Sequence, residues 1–358
     1  MVEESTSSEL HPRHDWLDQA RGLVVIMLIV SMGTAEFAGD MVLGEPVIGP
    51  PMLNHGYDYY HGAPAIITFV DVGQALFVFV MGFVGYAAFT SRLTKRGPRS
   101  AFLYAARRVL VLYALAGLDS ILLSTLERGS PEWAVFFYGG TFSAIALGSL
   151  VAFVSIVIIP NADRRAAFAA ALVLLHALLF EFPIFDRYTW YDDVLGLPKF
   201  PFGAAGLAIV AIFGSSFGQW YVIDPDEPLA GFKQRMVPVS TAAVIAAYCM
   251  DWLQPAEHHD VTASLQLQAI YMGGFMLEIF YTFGRAGFRF PLLSSFGKNL
   301  LLMFAVGGFG VSIYWNFLPK ELLIAEPLIA LFLVGILPIA ALGVFAKFLE
   351  KRGVMVRA

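Results

Sequence analysis

The chain has 358 residues, of which 58% are hydrophobic and only 14% charged, and its mean hydropathy is +0.69. A soluble domain of this length cannot bury so many apolar residues, so the composition excludes an ordinary soluble protein. The single cysteine, Cys249, excludes an internal disulfide, a CxxC redox pair and a cysteine-rich metal site. The net charge of −5 decides little, because in a membrane protein the placement of Lys and Arg matters more than their sum.

Apolar runs long enough to cross a bilayer core of about 30 Å recur along the whole chain. These runs are 22–37, 65–89, 102–125, 133–159, 165–184, 202–223, 237–253, 267–284, 299–318 and 327–348. We therefore predict an all-α polytopic bundle of about ten transmembrane helices. It forms one domain over residues 16–353, between a mobile tail at 1–15 and a C-terminal tail at 354–358.

The basic residues are distributed very unequally between the two predicted faces of the membrane. One face collects 19 of the 23 Lys and Arg residues, and the other has only Arg128, Arg187, Lys199 and Lys320. Because cytoplasmic loops carry the excess of basic residues, both termini are predicted to be cytoplasmic. The long loop before residue 65 then faces outward, and the even number of helices agrees with this orientation.

The first helix and the loop after it carry several polar groups. Asp18 and Arg21 lie three residues apart, on one helix face, where they either neutralise each other at the interface or take part in a site. Ser31 lies in the outer part of the helix. The following loop lacks any Lys or Arg and brings His61 back toward the bundle. Long ordered loops tend to be functional, so His61 is a candidate.

Asp71 is the acid that the sequence places inside the bilayer, in the second helix. A carboxylate at the membrane centre costs about 2.5 to 3.5 kcal/mol on insertion scales, so it should face the bundle and have a partner. Glu278, deep in the eighth helix, must likewise be paired or protonated. For Asp71, the alternative to a catalytic role is a hydrogen bond that holds two helices together.

Further cations lie toward the cytoplasmic ends of helices. Arg107 and Arg108 are about two turns inside the third helix, where they either snorkel to the interface or bind an anionic ligand. Lys298 and Asn299 stand at the polar start of the ninth helix. The bases of the preceding loop, 92–99, are ordinary topology determinants.

The other histidines give weaker signals. His176 is a lone intramembrane histidine, more typical of a packing residue than of a ligand. The E-H-H-D run at 257–260 resembles a set of metal ligands, but adjacent positions on a predicted loop make a weak metal motif. We predict neither a metal nor haem.

Two N-terminal motifs resemble a known family. W-L-D-Q-A-R-G-L-V-V-I-M-L-I-V is similar to the L-D-x-x-R-G opening of the heparan-α-glucosaminide N-acetyltransferase family of transmembrane acyltransferases. His61, Asp71 and the F-V-F-V-M-G that follows match the family's next motif in order and spacing. G-K-N-L-L-L, at 297–302, is similar to a later motif. The resemblance covers about residues 15–110 and, more weakly, 290–316.

The resemblance implies an enzyme that moves an acetyl or other short acyl group from cytosolic acetyl-CoA, or another acyl-CoA, to an extracytoplasmic sugar or glycan. His61 then matches the family's catalytic histidine. Where the family often has an asparagine near the outer end of its first helix, this chain has Ser31 or Met32.

A thioester is already activated, so the enzyme needs a base for the incoming amine or hydroxyl, and His61 would supply it with Asp71 orienting the ring. The enzyme also needs a hydrogen-bond donor to the developing oxyanion, which would be Ser31 or Asn299. The CoA phosphates would be held by cations and polar groups of the cytoplasmic face. We predict that these are Arg21, Arg107, Arg108, Lys298 and Asn299.

The alternative is a transporter without enzymatic activity, moving a sugar or lipid-linked intermediate with Asp71 and Glu278 as proton-coupling acids. Either protein would lie in a bacterial inner membrane or a plasma membrane, in contact with lipid and without a nucleic-acid partner. A homo-oligomer is left open by the sequence.

Overall fold

The computed structural model describes residues 14–41, 71–131, 141–181, 202–222, 228–258, 260–315, 317–318, 329 and 331–354. Of the side chains in the first helix, those beyond residue 30 are not described. The predictions for His61, the Ser31 side chain and nearly all of both tails therefore lie outside the described structure. Within the described residues the chain is helical and contains no strand, which confirms the all-α prediction.

The helices follow one another in a simple order. They are α1 (Asp15–Met41), α2 (Gly73–Arg128), α3 (Thr141–Ile158), α4 (Ala162–Glu181), α5 (Phe202–Val222), α6 (Pro228–Gly231), α7 (Val237–Leu253), α8 (Ala263–Arg285), α9 (Pro291–Lys298), α10 (Leu300–Trp315) and α11 (Leu337–Lys351). π-helical turns, Phe232–Met236 and Leu331–Ile336, lead into α7 and α11.

The long helix α2 reverses direction in its middle. Gly97 has φ 80° and ψ 171°, a conformation that favours glycine, and Pro98 follows it. The guanidinium carbon of Arg92 lies 3.9 Å from the centroid of the Tyr104 ring. In a straight helix, residues twelve apart would be separated by about 18 Å. The segments 73–96 and 98–128 are therefore two limbs of a helical hairpin.

The first limb of α2 and helix α5 lie at the centre of the bundle and touch through glycines. A Cβ on Gly214 would lie 2.1 Å from the carbonyl oxygen of Phe79, and one on Gly218 would lie 2.3 Å from that of Phe83. Because both sequence numbers rise together, the two helices run parallel. Small residues that let backbones approach closely are typical of helix contacts in membranes.

Helix α9 crosses the first turns of α1, and it is joined to α10 by a bend of 93° at Asn299. A Cβ on Gly22 would lie 1.9 Å from the carbonyl oxygen of Leu293, and one on Gly297 would lie 1.7 Å from that of Asp18. Only glycine fits at these two points. We call the end of the bundle formed by the start of α1, α9 and the end of α11 the basic end.

Three helical stretches in the described chain are long and apolar enough to cross a membrane. They are Gly73–Leu118, Gly203–Val222 and Phe232–Leu253, and the bent pair α9–α10 makes a fourth if it counts as one span. The first of these contains the reversal at Gly97. By the length and composition of these helices the structure is consistent with a membrane protein, whereas the number of ten spans and the orientation of the termini stay predictions.

Helix α7 shows the kind of surface that such a protein presents to lipid. Its outer face carries Ile245, Tyr248, Trp252 and Leu253, each more than 60% exposed. An apolar surface of this extent on one helix is typical of contact with a membrane or a partner.

Candidate functional site

Asp71 is a deeply buried carboxylate that the sequence analysis singled out. Its residue is 3% exposed, and its carboxylate oxygen Oδ1 lies 3.7 Å from Nδ1 of His258. Glu257, 2% exposed, places its Oε1 3.8 Å from the same nitrogen. Two buried carboxylates therefore face one imidazole nitrogen, and we call Asp71, Glu257 and His258 the carboxylate–histidine cluster.

The connection between α7 and α8 supplies Glu257 and His258, and its own hydrogen bonds fix its shape. The backbone N–H of Asp260 donates to Oε2 of Glu257 at 2.6 Å. The hydroxyl of Thr262 accepts from the N–H of Glu257 at 3.0 Å. Val261 has φ 50°, an uncommon value for a β-branched residue. A chain held in such a conformation is over-determined by its surroundings, which is common at functional sites.

The geometry of the cluster favours one tautomer of His258. Both carboxylates approach Nδ1, so a proton on this nitrogen is stabilised by negative charge on two sides. In a neutral imidazole with its proton on Nδ1, the lone pair is on Nε2. Distances of 3.7 and 3.8 Å are longer than a hydrogen bond, so the interaction is electrostatic. A histidine placed beside carboxylates in this way can act as a general base or acid.

The sequence analysis expected His61 beside Asp71, and the structure shows His258 there. His61 lies outside the described residues, so its distance from Asp71 is not part of the structure. The E-H-H-D run was considered only as a set of metal ligands. Within the described residues, no group of three or more His, Cys, Asp and Glu side chains is placed to hold a metal.

At the basic end, the predicted ligands of CoA phosphates contact other parts of the chain. Asn299, 1% exposed, donates from Nδ2 to the carbonyl oxygen of Val354 at 3.2 Å. Lys298 forms an ion pair with Glu350, whose other carboxylate oxygen accepts a hydrogen bond from Ser295 Oγ at 2.6 Å. The bonds from Lys298 and then from Ser295 hold the pKa of Glu350 below its usual value.

The structure does not bring the other cations predicted to bind CoA phosphates into one described group. Arg21 pairs with Asp18 at 3.0 Å, on the helix that α9 crosses. Arg107 is exposed, and Arg108 donates to the hydroxyl of Tyr104 at 3.1 Å. Tyr104 in turn packs against Phe153 of α3. Arg108 is thus held within the α2 hairpin, which packs on α3 through Tyr104.

The carboxylate–histidine cluster and the basic end are separated along α1. Gly73, two residues after Asp71, packs against Leu28, whereas Gly297 packs against Asp18. Ten residues of α-helix rise by about 15 Å. An extended arm of that length would be needed for one ligand to reach both places.

The sequence analysis missed a buried arginine, Arg165, which it counted only among the 19 basic residues of one predicted face. Arg165 is 0% exposed. Every described acceptor of its hydrogen bonds is a neutral oxygen. The acceptors are Ser215 Oγ at 2.9 Å, the Ser215 carbonyl at 3.0 Å, Gln219 Oε1 at 2.8 Å and the Ile159 carbonyl at 2.9 Å. It clamps the α3–α4 turn to α5. The signal available was an arginine at the first turn of an apolar run.

Two further intramembrane groups were singled out from the sequence. Glu278 is half-buried, and its Oε1 has no hydrogen-bond partner within the described chain. His176, 4% exposed, packs parallel to the ring of Phe180 with centroids 6.2 Å apart. This stacking agrees with the packing role that the sequence favoured for His176.

Comparison of the chain with models of known protein families found no match, and neither did comparison with curated protein sequences.

Proposed function

We propose that the protein is a membrane acyltransferase that moves an acetyl or other short acyl group from cytosolic acyl-CoA to an extracytoplasmic sugar or glycan. The observation that carries this proposal is the buried Asp71 carboxylate 3.7 Å from Nδ1 of His258. A carboxylate and an imidazole arranged in this way are the parts of a general base. The resemblance of residues 15–110 to transmembrane acyltransferases supports the same chemistry.

In the proposed reaction, Nε2 of His258 takes a proton from the acceptor as its nitrogen or oxygen attacks the thioester carbonyl carbon. The negative charge of Asp71 stabilises the imidazolium that forms. The carbon–sulfur bond then breaks, and the imidazolium returns the proton to the departing thiolate. A general base of this kind contributes about 10²- to 10⁴-fold to the rate.

The resemblance assigns the base role to His61, with Asp71 orienting it. We assign it to His258, because this is the imidazole that the described structure brings to Asp71. The sequence predicts either Ser31 or Asn299 as the hydrogen-bond donor to the oxyanion. Asn299 lies at the basic end, about 15 Å along α1 from Asp71, so Ser31 is the better candidate for this role.

The distance between the basic end and the carboxylate–histidine cluster also supports acyl-CoA as the donor. Lys298, Asn299 and Arg21 lie at the basic end, where they would bind phosphate groups. Arg107 and Arg108, on the second limb of the α2 hairpin, are further candidates for the same role. The thioester must then reach about 15 Å along α1 to Asp71. The pantetheine arm of CoA is a long, thin chain suited to such a distance. This arrangement requires the basic end to face the cytoplasm.

The topology that goes with this function has about ten spans and both termini in the cytoplasm of a bacterial inner or plasma membrane. It places the basic end at the acyl-CoA pool. A homo-oligomer is compatible with the proposal and is not required by it.

The direct test is to incubate the purified protein with acetyl-CoA labelled in the acetyl group and a panel of amino sugars and glycans. The proposal predicts label in at least one acceptor and release of free CoA. Release of CoA without transfer to any sugar, or no turnover of any short acyl-CoA, would rule it out.

One observation favours a second function, a proton-coupled transporter. Glu278 has a carboxylate oxygen without a hydrogen-bond partner in the described structure, and Asp71 is a second buried acid. Such groups are typical of proton relays in membranes. A transporter has no need of acyl-CoA, so proton-driven sugar uptake by vesicles in the absence of acyl-CoA would favour it.

A further inference from the structure

The end of the C-terminal helix occupies the polar groups of the α9–α10 bend. The two carboxylate oxygens of Glu350 are bound separately, Oε1 by the Lys298 ammonium and Oε2 by the Ser295 hydroxyl at 2.6 Å. Four residues later, the Val354 carbonyl accepts from the Asn299 amide at 3.2 Å. One ammonium, one hydroxyl and one amide thus converge on oxygens of a single segment.

This donor set has the chemistry of an anion site. A carboxylate held by an ammonium and a hydroxyl makes charge-assisted hydrogen bonds, and a phosphate offers the same acceptors with more charge. Ser295 and Asn299 are 2% and 1% exposed, so the bundle itself fixes their positions. Lys298 and Glu350 have side chains that are 24% and 38% exposed, so the ion pair can be reached from solvent.

The rest of α11 is docked on the bundle through one face, which belongs to the hydrophobic core. Gly343 packs against Leu292 of α9, and Ala346 and Leu349 are buried. The opposite face exposes Val344 at 72% and Phe348 at 50%. Residues 350–354 follow the last buried residue of α11 and are all exposed, so this segment can leave the bend while α11 up to Leu349 stays docked.

We propose that Ser295, Lys298 and Asn299 form a phosphate-binding site, and that Glu350 and Val354 of the C-terminal helix compete for it with an anionic ligand. The helix end is then an intramolecular inhibitor that must move before phosphate groups bind. The proposed function enters only in the identity of the ligand, which would be the phosphates of acyl-CoA.

The variant Glu350→Gln tests the competition, because it keeps the shape of the side chain and removes its charge. Pyrophosphate is the first probe, and binding is measured by calorimetry at low salt on the full-length protein in detergent. Loss of a part-exposed ion pair and one charge-assisted bond predicts affinity tighter by about fivefold or more. Glu350→Asp, which keeps the charge, should lie between the variant and the wild type.

The control is Asp163→Asn, which removes the same charge from the exposed pair that Asp163 forms with Arg235 at 2.6 Å. It should leave pyrophosphate affinity within about twofold, since exposed charges act weakly at a distance. Equal or weaker binding by folded Glu350→Gln protein would overturn the proposal. An equal gain in both variants would also overturn it, because net charge alone would then explain the effect.

A second probe, acetyl-CoA, separates this inference from the proposed function. Tighter binding of pyrophosphate by Glu350→Gln, with no binding of acetyl-CoA by either protein, would support the phosphate site and reject the acyltransferase. Normal acyl transfer with CoA affinity unchanged by Glu350→Gln would support the acyltransferase and reject the competition.

Discussion

Gly297 lies directly against the backbone of Asp18, so closely that a Cβ on Gly297 would fall 1.7 Å from the Asp18 carbonyl oxygen. Because the obstacle is backbone rather than a flexible side chain, it cannot move aside cheaply. The crossing of α9 over α1, on which the basic end depends, thus requires glycine at this position.

The variant Gly297→Ala should therefore separate α9 from α1. Overpacking a tight contact costs about 1 to 3 kcal/mol, and the thermal unfolding midpoint in detergent should fall accordingly. Gly310→Ala is the matched control, since a Cβ there meets nothing within 4 Å. An unchanged midpoint for Gly297→Ala would contradict the described packing.

Arg165 offers a second test of the packing. Replacing it with Met keeps much of its length but leaves the Ser215 carbonyl, Gln219 and the Ile159 carbonyl without the guanidinium. Buried acceptors left unpaired cost about 1 to 3 kcal/mol each, so a loss of at least about 2 kcal/mol is expected. Chemical unfolding in mixed micelles measures it. Arg164→Met, at the exposed neighbouring position, is the control, and equal stability of both variants would contradict the clamp.

Much of the helical architecture could be predicted from the sequence, because apolar runs are local. The run 202–223 corresponds to α5, Phe202–Val222, and 237–253 coincides with α7. The basic loop before residue 100 contains the reversal at Gly97. Such features depend on residues near one another in the chain.

The contacts of the candidate site could not be predicted in the same way. His258 meets Asp71 across 187 positions of the chain, and Glu350 meets Ser295 across 55. Neither pair leaves a periodic pattern. The sequence showed that Asp71 needed a partner, since a buried carboxylate is costly, but it offered no means of choosing among histidines.

The stabilising contribution of Glu350, which holds the end of α11 to α9, should be lost at acid pH. The pKa of Glu350 is lowered in the folded state by Lys298 and Ser295, so its stabilising contribution is complete above the ordinary value of 4.5 and is lost as the pH falls through the lower folded pKa. The unfolding midpoints of wild type and Glu350→Gln should therefore differ at neutral pH and converge as the pH falls through the lowered pKa of Glu350. A difference that persists unchanged in acid would contradict this role of the carboxylate.

The predicted orientation can be tested by labelling. After replacement of Cys249, which is exposed, a single cysteine is placed at Asn54 or at Lys351. An impermeant maleimide should label position 54 in intact cells and position 351 only after the cells are opened. The reverse pattern would place the basic end outside and remove the route for cytosolic acyl-CoA.

The central claim is that His258, oriented by Asp71, is the base of an acyl transfer, and single-turnover transfer by His258→Ala protein tests it most directly. The rate should fall by about a hundredfold or more, with acyl-CoA affinity unchanged. His259→Ala, at the neighbouring position, is the control and should be much milder. Near-normal transfer by folded His258→Ala protein would contradict the account, and a loss found instead in His61→Ala would return the role to the histidine that the sequence first indicated.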